Sequence, residues 1–187
     1  MSRTREKRPQ REMKPVFLVF CEGETEENYI DFVRRTYKSP IKLIPKTEGN
    51  RISNNLISKL QQKLKISRAE HITTFLMYDL DVAAVNEKLK KCKAVWLCSN
   101  PCIELWFLLH EKEQKVEIST QECLDKLKRS DAAWHNYNKP VLTNVQKEHL
   151  LDFEDVAVER AKALTEKQNP SSTVYKLLEM LNDSKSV

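Results

Sequence analysis

The sequence predicts an α/β fold: a parallel sheet of about four strands flanked by helices, with a helical C-terminal extension. Three observations predict it. Apolar runs of strand length alternate with polar stretches of helical spacing from Val16 to Glu111. The runs are continuously apolar rather than alternating, as in strands covered on both faces. Beyond Glu111 the strand signals stop and helical patterns alone continue.

The elements follow in order. Val16 to Cys21 is apolar throughout, bounded by Pro15 and by Glu22-Gly23, and reads as the first buried strand. Tyr29, Phe32, Val33 and Tyr37 then recur at helical spacing. Ile41 to Ile44 is a second short strand that ends at Pro45. Ile52, Leu56, Ile57, Leu60 and Leu64 mark one face of an amphipathic helix. Ile72 to Tyr78 is the third strand and runs into Asp79-Leu80-Asp81, Ala83 to Lys91 a short helix, and Ala94 to Cys98 the fourth strand. Ser99-Asn100-Pro101 reads as a cap and helix start, with Pro near its first turn, leading through Glu104, Leu105, Leu108 and Leu109. In the extension, Ser119-Thr120-Gln121-Glu122 has the capping-box pattern ahead of Cys123, Leu124 and Leu127. A loop, Trp134 to Pro140, precedes a helical stretch with Val156, Ala157, Ala161 and Leu164. A last helix follows Asn169-Pro170-Ser171-Ser172, with Val174, Leu177, Leu178 and Leu181 inside.

Composition bounds the function. The 187 residues carry 32 basic and 27 acidic side chains, a formal net charge of +5. Most of that excess lies in residues 1–14, where Arg3, Arg5, Lys7, Arg8, Arg11 and Lys14 face only Glu6 and Glu12. Residues 1–14 read as a flexible basic arm suited to a nucleic-acid backbone or to solubilising a chain end. Residues 15–187 read as one domain, with the sheet core at 15–111 and the helical extension at 112–187. The two glycines, Gly23 and Gly49, build neither a GxxxxGK[ST] phosphate loop nor a GxGxxG dinucleotide turn. No apolar run approaches the roughly 18 residues of a membrane span. Five cysteines without CxxC spacing suit a reducing compartment, and the cytoplasm is the expected location.

The candidate chemistry is carboxylate chemistry. Parallel strands all point the same way, and ligands bind beyond their carboxyl ends. Glu22 ends the first strand, Asp79 and Asp81 end the third, and Glu104 follows the fourth, in the first turn of its helix. In extended chain, Asp79 and Asp81 project to the same side. Acids gathered at one edge repel one another unless a cation sits between them, and Mg²⁺ or Mn²⁺ is the natural occupant. Such a site suits phosphodiester chemistry. Glu24, Glu26 and Glu27 also open a helix, where the macrodipole alone favours acids.

Other features have simpler readings. Cys98, Cys102 and His110 are conceivable zinc ligands, with buried packing as the alternative; Cys21, inside a strand run, is expected to be buried. Trp134, His135 and Tyr137 are candidates for stacking on bases. Lys139, Arg160 and Lys162 are candidate phosphate contacts, with solvated helix face as the default.

Several of these stretches together resemble the RloB family: Leu18 to Glu26, Asp79-Leu80-Asp81, Ser99 to Trp106 with Leu108-Leu109-His110, Asn169 to Val174, and the basic arm. The segment from Ser99 to His110 is the most specific. The resemblance covers nearly the whole chain and implies a Toprim-like domain, the fold of primases, topoisomerases and OLD-family nucleases. It further implies a metal-dependent nuclease of phage defence, of the abortive-infection kind, often encoded near an ATPase or restriction system. By that pattern Glu22 is a general acid or base, Asp79 and Asp81 hold Mg²⁺, and Glu104 is an acid characteristic of the family. The chain departs from the family just after the acid pair, where Val82-Ala83-Ala84 replaces a further acid or histidine. Nucleic acid, DNA or RNA, is the expected partner. The competing expectation is a non-catalytic subunit that binds nucleic acid or docks an ATPase, and self-association as a homo-oligomer is left open.

Overall fold

The computed structural model describes residues 16–37, 42–63 and 72–183. The basic arm, with Arg3, Arg5, Lys7, Arg8 and Arg11, lies outside the described residues, as do Ile41 and Leu64. The four strands expected from the sequence are present. They are β1 (Val16–Cys21), β2 (Lys42–Thr47), β3 (Ile72–Met77) and β4 (Val95–Trp96). All pair in parallel, in the order β2-β1-β3-β4. Pro45 does not end β2 but sits inside it, paired with Val19. β2 is an edge strand, so the missing N–H of a proline can face away from the ladder.

The order fixes where the helices go. β1 leads through α1 (Glu24–Thr36) outward to β2, and β2 leads through α2 (Asn54–Lys63) back across β1 to β3. With right-handed crossovers, opposite directions put the connecting helices on opposite faces. The alternating side chains of β1 divide accordingly. Phe17, Val19 and Cys21 pack with α1 residues such as Tyr29, Ile30 and Val33. Leu18 and Phe20 pack with Ile57 of α2 and with Val85 and Leu89 of α3 (Ala83–Lys90). The continuous apolar run of β1 thus has its expected cause, burial on both faces.

α4 (Ile103–Glu111) is the hub of the first face. Every residue from Ile103 to His110 is buried, as fits a helix that is apolar all round. Its N-cap is Cys102, and Pro101 stands just before that cap, near the first turn as expected. Trp106 Nε1 donates to the Tyr29 hydroxyl at 2.8 Å, tying α4 to α1. Arg160 donates to the Leu109 and His110 carbonyls, two groups that a helix C-terminus leaves without partners.

The extension supplies α5 (Thr120–Lys128), α6 (Asn144–Asp152), α7 (Glu154–Lys162) and α8 (Tyr175–Asp183). Ser119 and Glu122 form the expected capping box of α5. α6 was not expected from the sequence; Thr143 caps it through a second box with Gln146. Strand structure also returns after Glu111. β5 (Ser99–Asn100) pairs antiparallel with β6 (Ser171–Ser172), joining the Ser99-Asn100-Pro101 and Asn169-Pro170-Ser171 segments. Next to that pair, Thr173 Oγ1 accepts from Cys98 N at 2.9 Å and donates to Trp96 O at 2.8 Å. No helix among the described residues is long and apolar enough to cross a membrane.

Candidate active site at the carboxyl edge of the sheet

The strand order reverses between β1 and β3, and a crevice at such a reversal is where open parallel sheets bind ligands. Glu22 leaves β1 there, its N–H still on the ladder to Met77 O at 3.0 Å. Its Oε2 accepts from the Asp79 N–H at 2.9 Å. Two acids 57 positions apart are therefore directly linked. Asp79 pairs in parallel with Ser99, which continues the ladder past β4. Asp79 Oδ1 is buried and has no hydrogen-bond partner.

Asp81 differs from its expected place. The chain bends at Leu80 and Asp81, so the two aspartates are not successive same-side residues of one strand. Asp81 stands exposed on the rim, near enough that its charge helps to raise the pKa of Glu22.

Glu104 stands in the first turn of α4, as expected, but it is fully buried and paired. Its Oε1 accepts from the Tyr137 hydroxyl at 2.9 Å and lies 2.8 Å from Lys139 Nζ. Its Oε2 has no partner. Glu26 is, with Glu104, a second buried acid here, 6% exposed, and its Oε2 accepts from Gly23 N at 2.8 Å. A Cβ at Gly23 would lie 3.3 Å from that oxygen, so the glycine leaves the carboxylate room. The helix-start reading suits exposed Glu24 and also Glu26, whose carboxylate accepts from the N-cap N–H while feeling the charges of Glu22 and Glu104.

The electrostatics follow from this crowding. Burial, then the charges of Glu26, Glu22 and Glu104, holds Asp79 well above the usual carboxylate range, with Lys139 opposing. Burial likewise raises Glu22 and Glu26. Lys139 is itself pushed up: burial works against its charge, but the hydrogen bond and charge of Glu104 outweigh it.

Glu22 and Asp79 lie at the strand ends where the sequence put them, and their surroundings were not read from it. Glu26 was legible as the far end of a Gly-x-x-Glu box. Lys139 belongs to a strap from Tyr137 to Pro140 rather than to a solvated helix face; Pro140 O accepts from Asn28 Nδ2 of α1 at 3.1 Å. Of the three candidates for base stacking, Trp134 and Tyr137 are buried and His135 is exposed. Cys21, Cys98 and Cys102 are buried, and His110 Nδ1 meets Trp106 O at 2.8 Å inside its own helix.

Among the described residues no group of three or more His, Cys, Asp or Glu could hold a metal ion unaided. The donors still fit one kind of cation. Mg²⁺ commonly binds through one or two carboxylates and takes its other ligands from water and phosphate. Glu22 and Asp79, with a buried oxygen lacking any partner, supply that minimum of hard oxygen donors.

Fold and site together define a class, an α/β protein with acids gathered at the carboxyl edge of a parallel sheet. Residues 17–181 match the family model described as RloB-like protein. The chain belongs to the RloB-like family. A search of curated proteins and a search of solved structures each returned no match.

Proposed function

We propose that the protein hydrolyses phosphodiester bonds of nucleic acid, DNA or RNA, with Mg²⁺ or Mn²⁺ as cofactor. The observation that carries this reading is the pair of Glu22 and Asp79: linked, crowded by two further acids, and with a buried oxygen lacking a partner. Asp79 and Glu22 would hold the cation, and Asp81 would approach it from the rim. Such a cation supplies charge neutralisation at the phosphoryl group and acidifies an attacking water. Alternatively Glu22, raised by burial, serves as proton carrier instead of ligand and takes the proton of that water as its oxygen bonds to phosphorus. The ester oxygen that leaves phosphorus takes its proton from solvent water. Arg3, Arg5, Lys7, Arg8 and Arg11 would draw the polyanionic backbone toward the domain. The setting that the family resemblance implies is phage defence.

The test is direct. Purified protein should cut DNA or RNA with Mg²⁺ or Mn²⁺ and lose activity to a chelator. Losing an outer group that only hydrogen-bonds to a metal ligand costs about 10–100-fold. Losing a ligand, by Asp79→Ala, should therefore cost at least about 100-fold. Equal cleavage by that variant would overturn the reading.

A second reading has one observation in its favour. Around the α6–α7 junction Leu151, Phe153 and Val156 are exposed, which suits a subunit that docks an ATPase without catalysis. On that reading Asp79→Asn leaves defence against phage intact, whereas charged substitutions at Leu151 and Phe153 abolish it.

A further inference from the structure

The strap from Tyr137 to Pro140 brings a single cation to the acids, and the way it is held is informative. Glu104 is completely buried, with one oxygen engaged twice and the other not at all. Burying the carboxylate of an ion pair is a poor way to stabilise a helix start, because its desolvation offsets much of the attraction and an apolar residue often does better. The pair does accomplish one thing: it fixes an ammonium group. Lysine carries three N–H donors on a flexible stem. Glu104 is its one acidic partner within 4 Å among the described residues, and the lysine side chain remains 44% exposed. Donors are thus left for something arriving from solvent. The ammonium charge reaches the centre, since it stabilises the ionised forms of both Asp79 and Glu22.

We propose that Lys139 is a further catalytic residue, whose ammonium donates a hydrogen bond to a non-bridging oxygen of the scissile phosphate. Glu104 is then a positioning residue, which aims Lys139 without touching substrate or cation. The inference rests on reading the site as a phosphodiester site. Negative charge builds on the phosphoryl oxygens in the transition state, and a donor fixed beforehand in a partly dry crevice stabilises it without reorganising. The chemistry also explains the acid in the first turn of α4: an apolar residue there would leave the lysine free to swing into water.

The informative variant is the pair Glu104→Gln with Lys139→Met, which removes the buried charge and its counter-ion together. It leaves no unpaired ion in the core, so it should melt near the wild-type temperature, unlike Lys139→Met alone. Two readouts apply. Affinity for a fluorescent single-stranded oligonucleotide, as DNA and as RNA, is measured in Ca²⁺ across a salt series, with intact substrate verified on gels. Losing one phosphate contact should lower the log–log salt slope by about 0.7. Single-turnover cleavage in Mg²⁺ should fall by about 10²–10³-fold, as when one oxyanion donor is removed. Lys139→Arg, which keeps the charge, should keep the slope. A folded paired variant with the wild-type slope overturns the inference, whatever its cleavage rate. If Asp79→Ala is inactive in the same assay, the proposed function survives that result. Wild-type protein that binds but never cuts overturns the proposed function, and the slope still decides the Lys139 contact. Protein that neither binds nor cuts overturns both.

Discussion

Asp79 is held in the fold at a cost. Its carboxyl is crowded by Glu22, Glu26 and Glu104 and deprived of water, so the folded state favours its protonated form. Between the ordinary value of about 3.9 and the raised folded value, the folded protein holds more protons than the unfolded chain. Stability from this residue is therefore fully present below about pH 4 and is lost as pH rises through the folded value, about 1.4 kcal/mol for each unit of difference. Asp79→Asn has no proton to lose. In metal-free buffer the melting temperature of that variant minus that of wild type should grow as pH is raised from 4 to 8. Mg²⁺ at pH 8 should raise the wild-type melting temperature and leave the variant unmoved. A difference independent of pH would show that the acids do not crowd one another. Lys139 is the counterpart case. Nothing near it in sequence marks it, since its partner Glu104 lies on another element 35 positions earlier in the numbering.

At the scale of elements, long periodic segments were legible and short ones were not. β1, β3, α1 and α8 announce themselves because burial on one or two faces imposes a pattern over six or more residues. β5 and β6 are two residues each, too short for any periodicity, and their pairing joins positions more than 70 apart. α6 went unrecognised because its buried set is only Gln146 and Leu150, while Val145 and Leu151 face out. Its Thr143-x-x-Gln146 box was the available signal. The short second sheet positions the start of α4, and Thr173 is its fastening. Thr173→Val keeps the shape but leaves the Cys98 N–H buried without an acceptor, which should cost about 1–3 kcal/mol. Urea unfolding would measure this as a lower midpoint with unchanged slope. A midpoint within error of wild type would mean that Cys98 N finds another acceptor.

For the whole molecule, the decisive feature is how the extension meets the sheet. One cluster of buried apolar side chains runs from Phe17 and Phe75 through α4 to Trp134, Leu150 and Leu181. The strap that carries Tyr137 and Lys139 belongs to the extension, while the acids that it meets belong to the sheet. Removing everything after Glu111 would expose most of α4, so residues 16–111 alone should show no cooperative unfolding. The intact chain should instead give one transition, coincident by circular dichroism and by tryptophan fluorescence. Two separated transitions would mean that sheet and extension fold independently.

The amino-acid order by itself determined the strand–helix alternation, the burial of the first strand on both faces, and the carboxyl-edge position of Glu22, Asp79 and Glu104. Those are consequences of local periodicity and of the common direction of parallel strands. Which acids touch, which one is neutralised by Lys139, and which one keeps a bare oxygen were decided only by the tertiary structure. Such pairings join residues from separate elements, and no repeat along the chain records how far a loop reaches across space.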